Sequence, residues 1–319
     1  MKRVYFLSGC MLLAAAMAAR AADDDWGMLK KSVASARQLP LSGTYLHQMS
    51  GLLETFRLYR AGDGDGVLER RESLDGPPRE IVRTGGDVVG YAPDTKSLAA
   101  ARLSAMRLFP ALLPDEIDGI AQSYAVRRLT GDRIAQKDCQ WFELKPRDTL
   151  RYGVRLCLEN ATQLPLKIMT VSPKSDVVEQ YMFTDVEFGA PRNRAVLKPH
   201  YRLSYPMRTL ATQVPESTAA DIEVSGLPTG FRLVRAMKRS LPGQADKQVR
   251  QLIFSDGLVM LSLFVEPMMG DPRTPRVSSL HGVISTASGH QGDMQFTLVG
   301  DLPEQGMSAV ARSLKISRP

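Results

Sequence analysis

The sequence predicts an α+β protein of two antiparallel sheet domains, the second smaller than the first. Three features predict it. Most of the 319 residues fall into short segments that alternate apolar and polar side chains, divided by turn clusters such as Gly62 to Gly66 and Gly85-Gly86. The composition shifts near Arg192, where the stretch 190–221 holds four prolines and little periodicity, as a crossing between domains does. Helical spacing is confined to short pieces, of which the last, after the final strand, is the best signalled.

The first residues read as an export signal. Lys2 and Arg3 precede an apolar run from Val4 to Ala19, and Ala19-Arg20-Ala21 fits the small-x-small pattern before a cleavage point. A rival reading is lipid attachment at Cys10, within Leu7-Ser8-Gly9-Cys10. The apolar run before Cys10 is short and the chain stays apolar after it, which favours plain export. Removing residues 1–21 leaves 298 residues and takes three basic ones away, so 38 basic against 34 acidic residues leave a charge of +4. That balance does not point to nucleic acid. The expected organisation is a signal peptide over 1–21, a first domain over 22–205, a linker over 206–222 and a second domain over 223–319.

In the first domain Trp26, Leu29, Val33 and Ala36 recur at helical spacing behind acidic residues that suit a helix start. A meander follows through the segments around Tyr45, Phe56, Leu68, Ile81 and Val88. The Asp-Gly repeat from Asp63 mimics a calcium loop briefly, but Val67 and Leu74 stand at ligand positions, so it reads as a hairpin turn. Leu98 to Tyr124 breaks the pattern and is helical or irregular. Within it Leu103, Leu108, Phe109, Leu112 and Leu113 are either core under the sheet or the rim of a groove for an acyl chain or peptide. Pro110 and Pro114 interrupt a continuous helix there.

Cys139 and Cys157 remain after export, and an even pair in an oxidising compartment reads as a disulfide; two free thiols or a redox pair are the alternatives. Both cysteines are equidistant from Asp148, so a symmetric hairpin turning at Pro146 to Thr149 places them opposite each other. Such a hairpin puts Phe142, Leu144, Tyr152, Val154 and Leu156 on one face, with Trp141, Glu143, Arg151 and Arg155 beside the cysteines on the other. A bridge closing this loop stabilises by about 3 kcal/mol in the chain-entropy view.

The second domain starts near Ile222. Its most legible segment is Arg250 to Pro267, two apolar runs around Asp256-Gly257, a dipeptide that favours tight hairpin turns. Asp301 and Glu304 are spaced as a capping box for a last helix with Met307, Val310 and Leu314 on one face.

No catalytic set, metal motif, phosphate loop or dinucleotide fingerprint is present in the sequence. His47, His200, His281 and His290 are scattered; only His281 and His290 could meet, across a hairpin, and solvated loops are the plainer reading. No cofactor is expected, and a binding protein is favoured over an enzyme.

Five ordered segments resemble the MucB/RseB family of periplasmic sigma-E regulatory proteins. They are SLDGPPREIVRTGG (Ser73 to Gly86), CQWFELKPRDTLRYGV (Cys139 to Val154), LPTGF (Leu227 to Phe231), FSDGLVMLSLFVE (Phe254 to Glu266) and TLVGDLP (Thr297 to Pro303). The resemblance implies a lipoprotein-carrier-like half-barrel with plugging helices, followed by a smaller sheet-and-helix domain. It implies a periplasmic negative regulator that binds the periplasmic part of a membrane anti-sigma factor (MucA/RseA-like) and protects it from regulated proteolysis. Release by lipid or lipopolysaccharide, and a homodimer, are also implied. An envelope lipid or lipoprotein carrier is the alternative. The sheet built by the Arg250 to Pro267 hairpin can offer a face or an edge to a partner segment, with Phe254, Asp256, Leu258 and Phe264 as candidates.

Overall fold

Alternation builds one long sheet before any helix of length intervenes. The computed structural model of the chain describes residues 24–63, 66–104, 108–207, 222–241, 244–268 and 276–317. A helix over residues 24–38 (α1) leads into β1 (Leu41–Met49), β2 (Leu52–Asp63), β3 (Gly66–Ser73), β4 (Glu80–Thr84) and β5 (Asp87–Ala92). Helix α2 (Thr95–Ser104) and a 3-10 turn (Asp118–Gln122) interrupt the strands. β6 (Tyr124–Ile134), β7 (Lys137–Pro146), β8 (Gly153–Glu159), β9 (Pro165–Val171) and β10 (Val177–Phe188) then follow. After a second 3-10 turn (Arg194–Leu197), β11 (Leu203–Met207) pairs with β5. The result is one open sheet of eleven strands in the order β11-β5-β4-β3-β2-β1-β10-β9-β8-β7-β6.

Hairpins account for all but two of the neighbours. β10 returns to pair with β1 in the middle, and β11 crosses to the far edge. One face of this sheet is covered by α1, through Leu29 and Val33, and by residues 108–120, through Phe109, Leu113, Ile117 and Ile120. This is the half-barrel with its plug. Leu108 to Leu113 is irregular and not helical, as its bracketing prolines require.

The second unit contains β12 (Glu223–Ser225), β13 (Arg232–Leu241), β14 (Gln244–Ser255), β15 (Met260–Pro267), β16 (Arg276–His281), β17 (Ile284–Gln291), β18 (Met294–Gly300), α3 (Glu304–Ser313) and β19 (Lys315–Ser317). Six strands form the sheet β13-β14-β15-β18-β17-β16, and β12 pairs with β19. Leu252, Phe254, Leu261, Leu263 and Leu298 line its inner face beneath Met307, Val310 and Leu314. Burying three such side chains contributes about 2 kcal/mol each. Among the described residues no helix is long and apolar enough to cross a membrane.

Four local expectations are corrected. The last helix is not capped by Asp301: Pro303 is its N-cap, without a side-chain cap, and Asp301, one residue past β18, donates its N–H to the Met260 carbonyl. The Asp256-Gly257 hairpin closes through four residues, since Ser255 pairs with Met260. His281 and His290 stand at opposite ends of their strands, opposite Ile284 and Gln295 respectively, so they do not meet. In the cysteine hairpin Cys139 faces Glu159 and Cys157 faces Trp141, so the two are diagonal neighbours and not directly opposed. Their Cα atoms are 5.5 Å apart and the disulfide forms. The register slips because residues 147–152 leave the ladder: Arg147 bonds the Ser123 carbonyl at 2.9 Å, and Arg151 turns away from the hairpin.

Candidate functional site: the plugged half-barrel and the junction of the two sheets

The plug is centred on Phe109, which is wholly buried. Its ring lies 5.1 Å from Tyr45, 5.6 Å from Tyr181 and 4.9 Å from Phe183, the offset and tilted distances at which aromatic rings attract. Leu113 is buried with it, Leu112 packs against the same core and Leu108 is half-buried. The side chain of Leu103 lies outside the described residues. Arg37, near the end of α1, holds the plug by donating to the Leu113 carbonyl at 2.8 Å and pairing with Asp115 at 2.5 Å.

Beside the rings the covered face becomes charged. Alternation along β2, β3 and β4 brings Arg60, Glu69 and Arg83 into one row, with Arg71 in the next. Glu69 accepts from Arg60 at 2.6 Å and from Arg71 at 2.7 Å, with Arg83 at 3.3 Å. Burial pushes the Glu69 carboxyl up, but the guanidinium groups of Arg60, Arg71 and Arg83 outweigh it and hold it well below the usual carboxylate range. Burial also raises Tyr45, which lies against Arg71.

On the opposite face of β3 the atoms of Glu72, Glu80 and His200 lie within 4.8 Å of one another, a spacing that suits a metal. The Arg70 guanidinium occupies their centre. It bonds Glu72, Glu80 at 2.7 Å and the Val196 carbonyl at 3.0 Å, and lies 2.7 Å from His200 Nδ1. This cluster is an ion-pair centre that fastens residues 194–200 across the sheet.

The two sheets meet where the tip of the cysteine hairpin reaches the tip of the β14–β15 hairpin. Arg151, with 1% of its side chain exposed, pairs through Nε with Asp256 Oδ2 at 3.1 Å, and Asp256 is fully buried. Arg151 also donates to the Thr229 carbonyl and lies 5.1 Å over the Phe231 ring. Ser123 donates to the same carbonyl at 3.2 Å. Asp256 keeps its own turn by accepting from the N–H groups of Leu258 at 2.9 Å and Val259 at 2.8 Å. Leu258 packs against the core of the first domain.

A second touch lies at the β1–β2 turn, where Ser50 accepts from the Gly282 N–H at 3.1 Å and Met49 abuts that glycine. Next to it is a hollow of about 310 Å³ lined by Gln48, Ser50, Gly51 and residues 177–180. Leu52, Leu53 and Val177 stand exposed around this rim.

The four residues expected to offer a partner-binding sheet are therefore dispersed. Phe254 is in the core of the second domain, Asp256 and Leu258 are in the junction, and Phe264 is half-buried on the other face of the sheet. Arg151 and the Glu69 cluster were not singled out in the sequence. The signal for the cluster was a Glu-Arg-Arg run inside a strand flanked by apolar strands.

Family models match both units: the MucB/RseB N-terminal domain over residues 26–201 and the MucB/RseB C-terminal domain over 216–315. The sigma factor AlgU regulatory protein MucB of Pseudomonas aeruginosa is 30% identical over 318 residues, spanning 95% of this chain and 94% of that protein. The structure of the Pseudomonas aeruginosa MucA/MucB complex aligns with a TM-score of 0.75 at 26% identity, covering 93% of this chain and 100% of that one. MucB in complex with the periplasmic part of MucA aligns at 0.74 and 25% identity, with coverages of 93% and 100%. A further crystal structure of MucB aligns at 0.62 and 26% identity, with coverages of 92% and 98%.

Proposed function

The chain belongs to the MucB/RseB family, and from that premise we propose that it binds the periplasmic part of a membrane-anchored anti-sigma factor and protects it from regulated proteolysis. The observation that carries this is the likeness, across both units, to MucB in complex with MucA. We read the chain as an exported binding protein and not an enzyme; its buried ionisable groups at the Glu69 cluster and at the junction are engaged with one another.

A partly disordered segment of the partner becomes ordered where it crosses both units, and its cleavage site is hidden. The rim around Leu52, Leu53 and Val177, beside the Gly282 contact, presents apolar surface for such a segment. An acyl chain entering the half-barrel has to displace Phe109 and Leu113 from the ring cluster. Lipid release then works by competition between two arrangements of the molecule. By linkage the lipid binds the partner-free protein more tightly, by the factor with which it weakens the partner. Equal lipid affinity with and without the partner segment excludes this route.

The test of the main reading is a pull-down from membrane extract with the mature chain, followed by proteolysis of what it retains. A single-span anti-sigma factor, cleaved more slowly in the complex, is the expected result. Recovery of lipoproteins alone would support an envelope carrier instead. Sedimentation of the mature chain tests the dimer that the family resemblance implies.

A further inference from the structure

Helix α3 has a glycine, Gly306, in its first turn, where alanine is a better helix former. The reason lies in the other domain: a Cβ on Gly306 would fall on the carbonyl of Leu150. At Gly257, where a φ of +104° already favours glycine, a Cβ would in addition come within 2.6 Å of Ile120 Cγ2. A Cβ on Gly230 would collide with the Ser123 hydroxyl. Three glycines from separate elements of the second domain thus abut the loops of the first domain that surround Arg151.

Between them runs the buried Arg151–Asp256 ion pair, a charge contact without a hydrogen bond between Nε and Oδ2; Arg151 also faces Asp148 of its own loop at 3.4 Å, so the charge left alone when the pair is broken is that of Asp256. Buried ion pairs add little over apolar packing, but breaking one strands a charge, so they discriminate strongly between arrangements.

We propose that Arg151 and Asp256 are positioning residues, which hold the two sheets in the arrangement that receives the partner segment. Close packing at Gly306 and Gly257 makes that arrangement unique. The Arg151–Asp256 pair sets partner affinity without being required to touch the partner. This rests on the anti-sigma-binding reading for its affinity arm only.

The test uses the full mature chain and three variants. Asp256→Asn keeps an oxygen for the Leu258 and Val259 N–H groups while removing the charge. Gly306→Ala leaves both charges in place, improves the helix intrinsically and wedges against Leu150. Arg151→Lys keeps the charge and is the conservative control. Small-angle scattering without partner reads the arrangement. Calorimetric titration with the periplasmic domain of the anti-sigma factor recovered in the pull-down reads affinity, and circular dichroism reports folding.

Asp256→Asn and Gly306→Ala are each expected to alter the scattering profile and weaken binding at least tenfold, with Arg151→Lys closer to wild type. Folded variants with the wild-type profile, or an altered profile with unchanged affinity, would overturn the proposal. If the wild-type chain itself does not bind, the anti-sigma reading fails. The scattering comparison then decides by itself whether the pair holds the arrangement.

Discussion

On the covered face of the first sheet, β2 to β4 present Arg60, Glu69, Arg71 and Arg83 to the interior. The covered face of the second sheet presents Leu252, Phe254, Leu261, Leu263 and Leu298, closed by Met307 and Val310. Both interiors have an apolar core, but the first adds a row of buried ionised groups to it and the second does not. The wide first sheet cannot be covered by α1 and a short plug with apolar contact alone, so long guanidinium side chains fill the remaining space and must be neutralised. The second sheet is narrow enough for one helix to cover. The two halves of the molecule should therefore fail under different insults. Both tryptophans, Trp26 and Trp141, lie in the first domain, so indole fluorescence reports that half alone.

The sharpest way to break this contrast is Glu69→Ala. It leaves Arg60, Arg71 and Arg83 around a buried site without their shared carboxylate, at an expected loss of about 3–5 kcal/mol. Chemical denaturation followed by tryptophan fluorescence measures it, and a loss below about 1 kcal/mol would mean the guanidiniums find water. Leu263→Ala in the second domain should cost about 3 kcal/mol through cavity formation. Calorimetry at pH 7 and at pH 4.5 checks that the increment hardly changes with pH. Reducing Cys139–Cys157 should destabilise the first domain by about 3 kcal/mol; thiol titration of the denatured mature chain should find none before reduction and two after.

Acid separates the two halves next. The folded Glu69 carboxyl is held low, as are Glu80 beside Arg70 and Glu143 beside Arg155 and Arg127, in each case against the upward push of burial. Their stabilisation is complete above the ordinary glutamate value of 4.5 and is lost as pH falls from there toward the depressed values. Fluorescence melts between pH 6 and pH 3 should show the first domain losing stability on the acid side, and Glu69→Gln should flatten that slope. The smallest effect belongs to the surface. Arg128 joins Asp24 and Asp25 with 42% of its side chain exposed, so Arg128→Ala should cost no more than about 1 kcal/mol and less in high salt.

The strand segments, the irregular plug, the last helix and the cysteine bridge were legible because each is written in local periodicity or in one residue type. The contents of the half-barrel were not. In Glu69-Arg70-Arg71 adjacent residues alternate between two faces, and alternation alone marks one of those as solvent. Here both are covered, by the plug on one side and by residues 194–200 on the other. Arg151 was placed on the outer face of a symmetric hairpin; the loop's bonds to Ser123 and Asp256 decided otherwise. Asp301 and Glu304 had the spacing of a cap, but the Asp301 N–H is bonded to the Met260 carbonyl just past the end of β18, and the helix begins at Glu304 behind Pro303.

By itself the sequence determined the antiparallel class, the two units, the family and the bridged cysteines, since backbone alternation and residue identity act over a few positions. Only the tertiary structure decided which charges are buried together and how one unit sits on the other. Arg151 and Asp256 are 105 positions apart, and Glu69 serves arginines on three strands. Such partners are chosen by register and closure of the whole sheet, which no local stretch encodes.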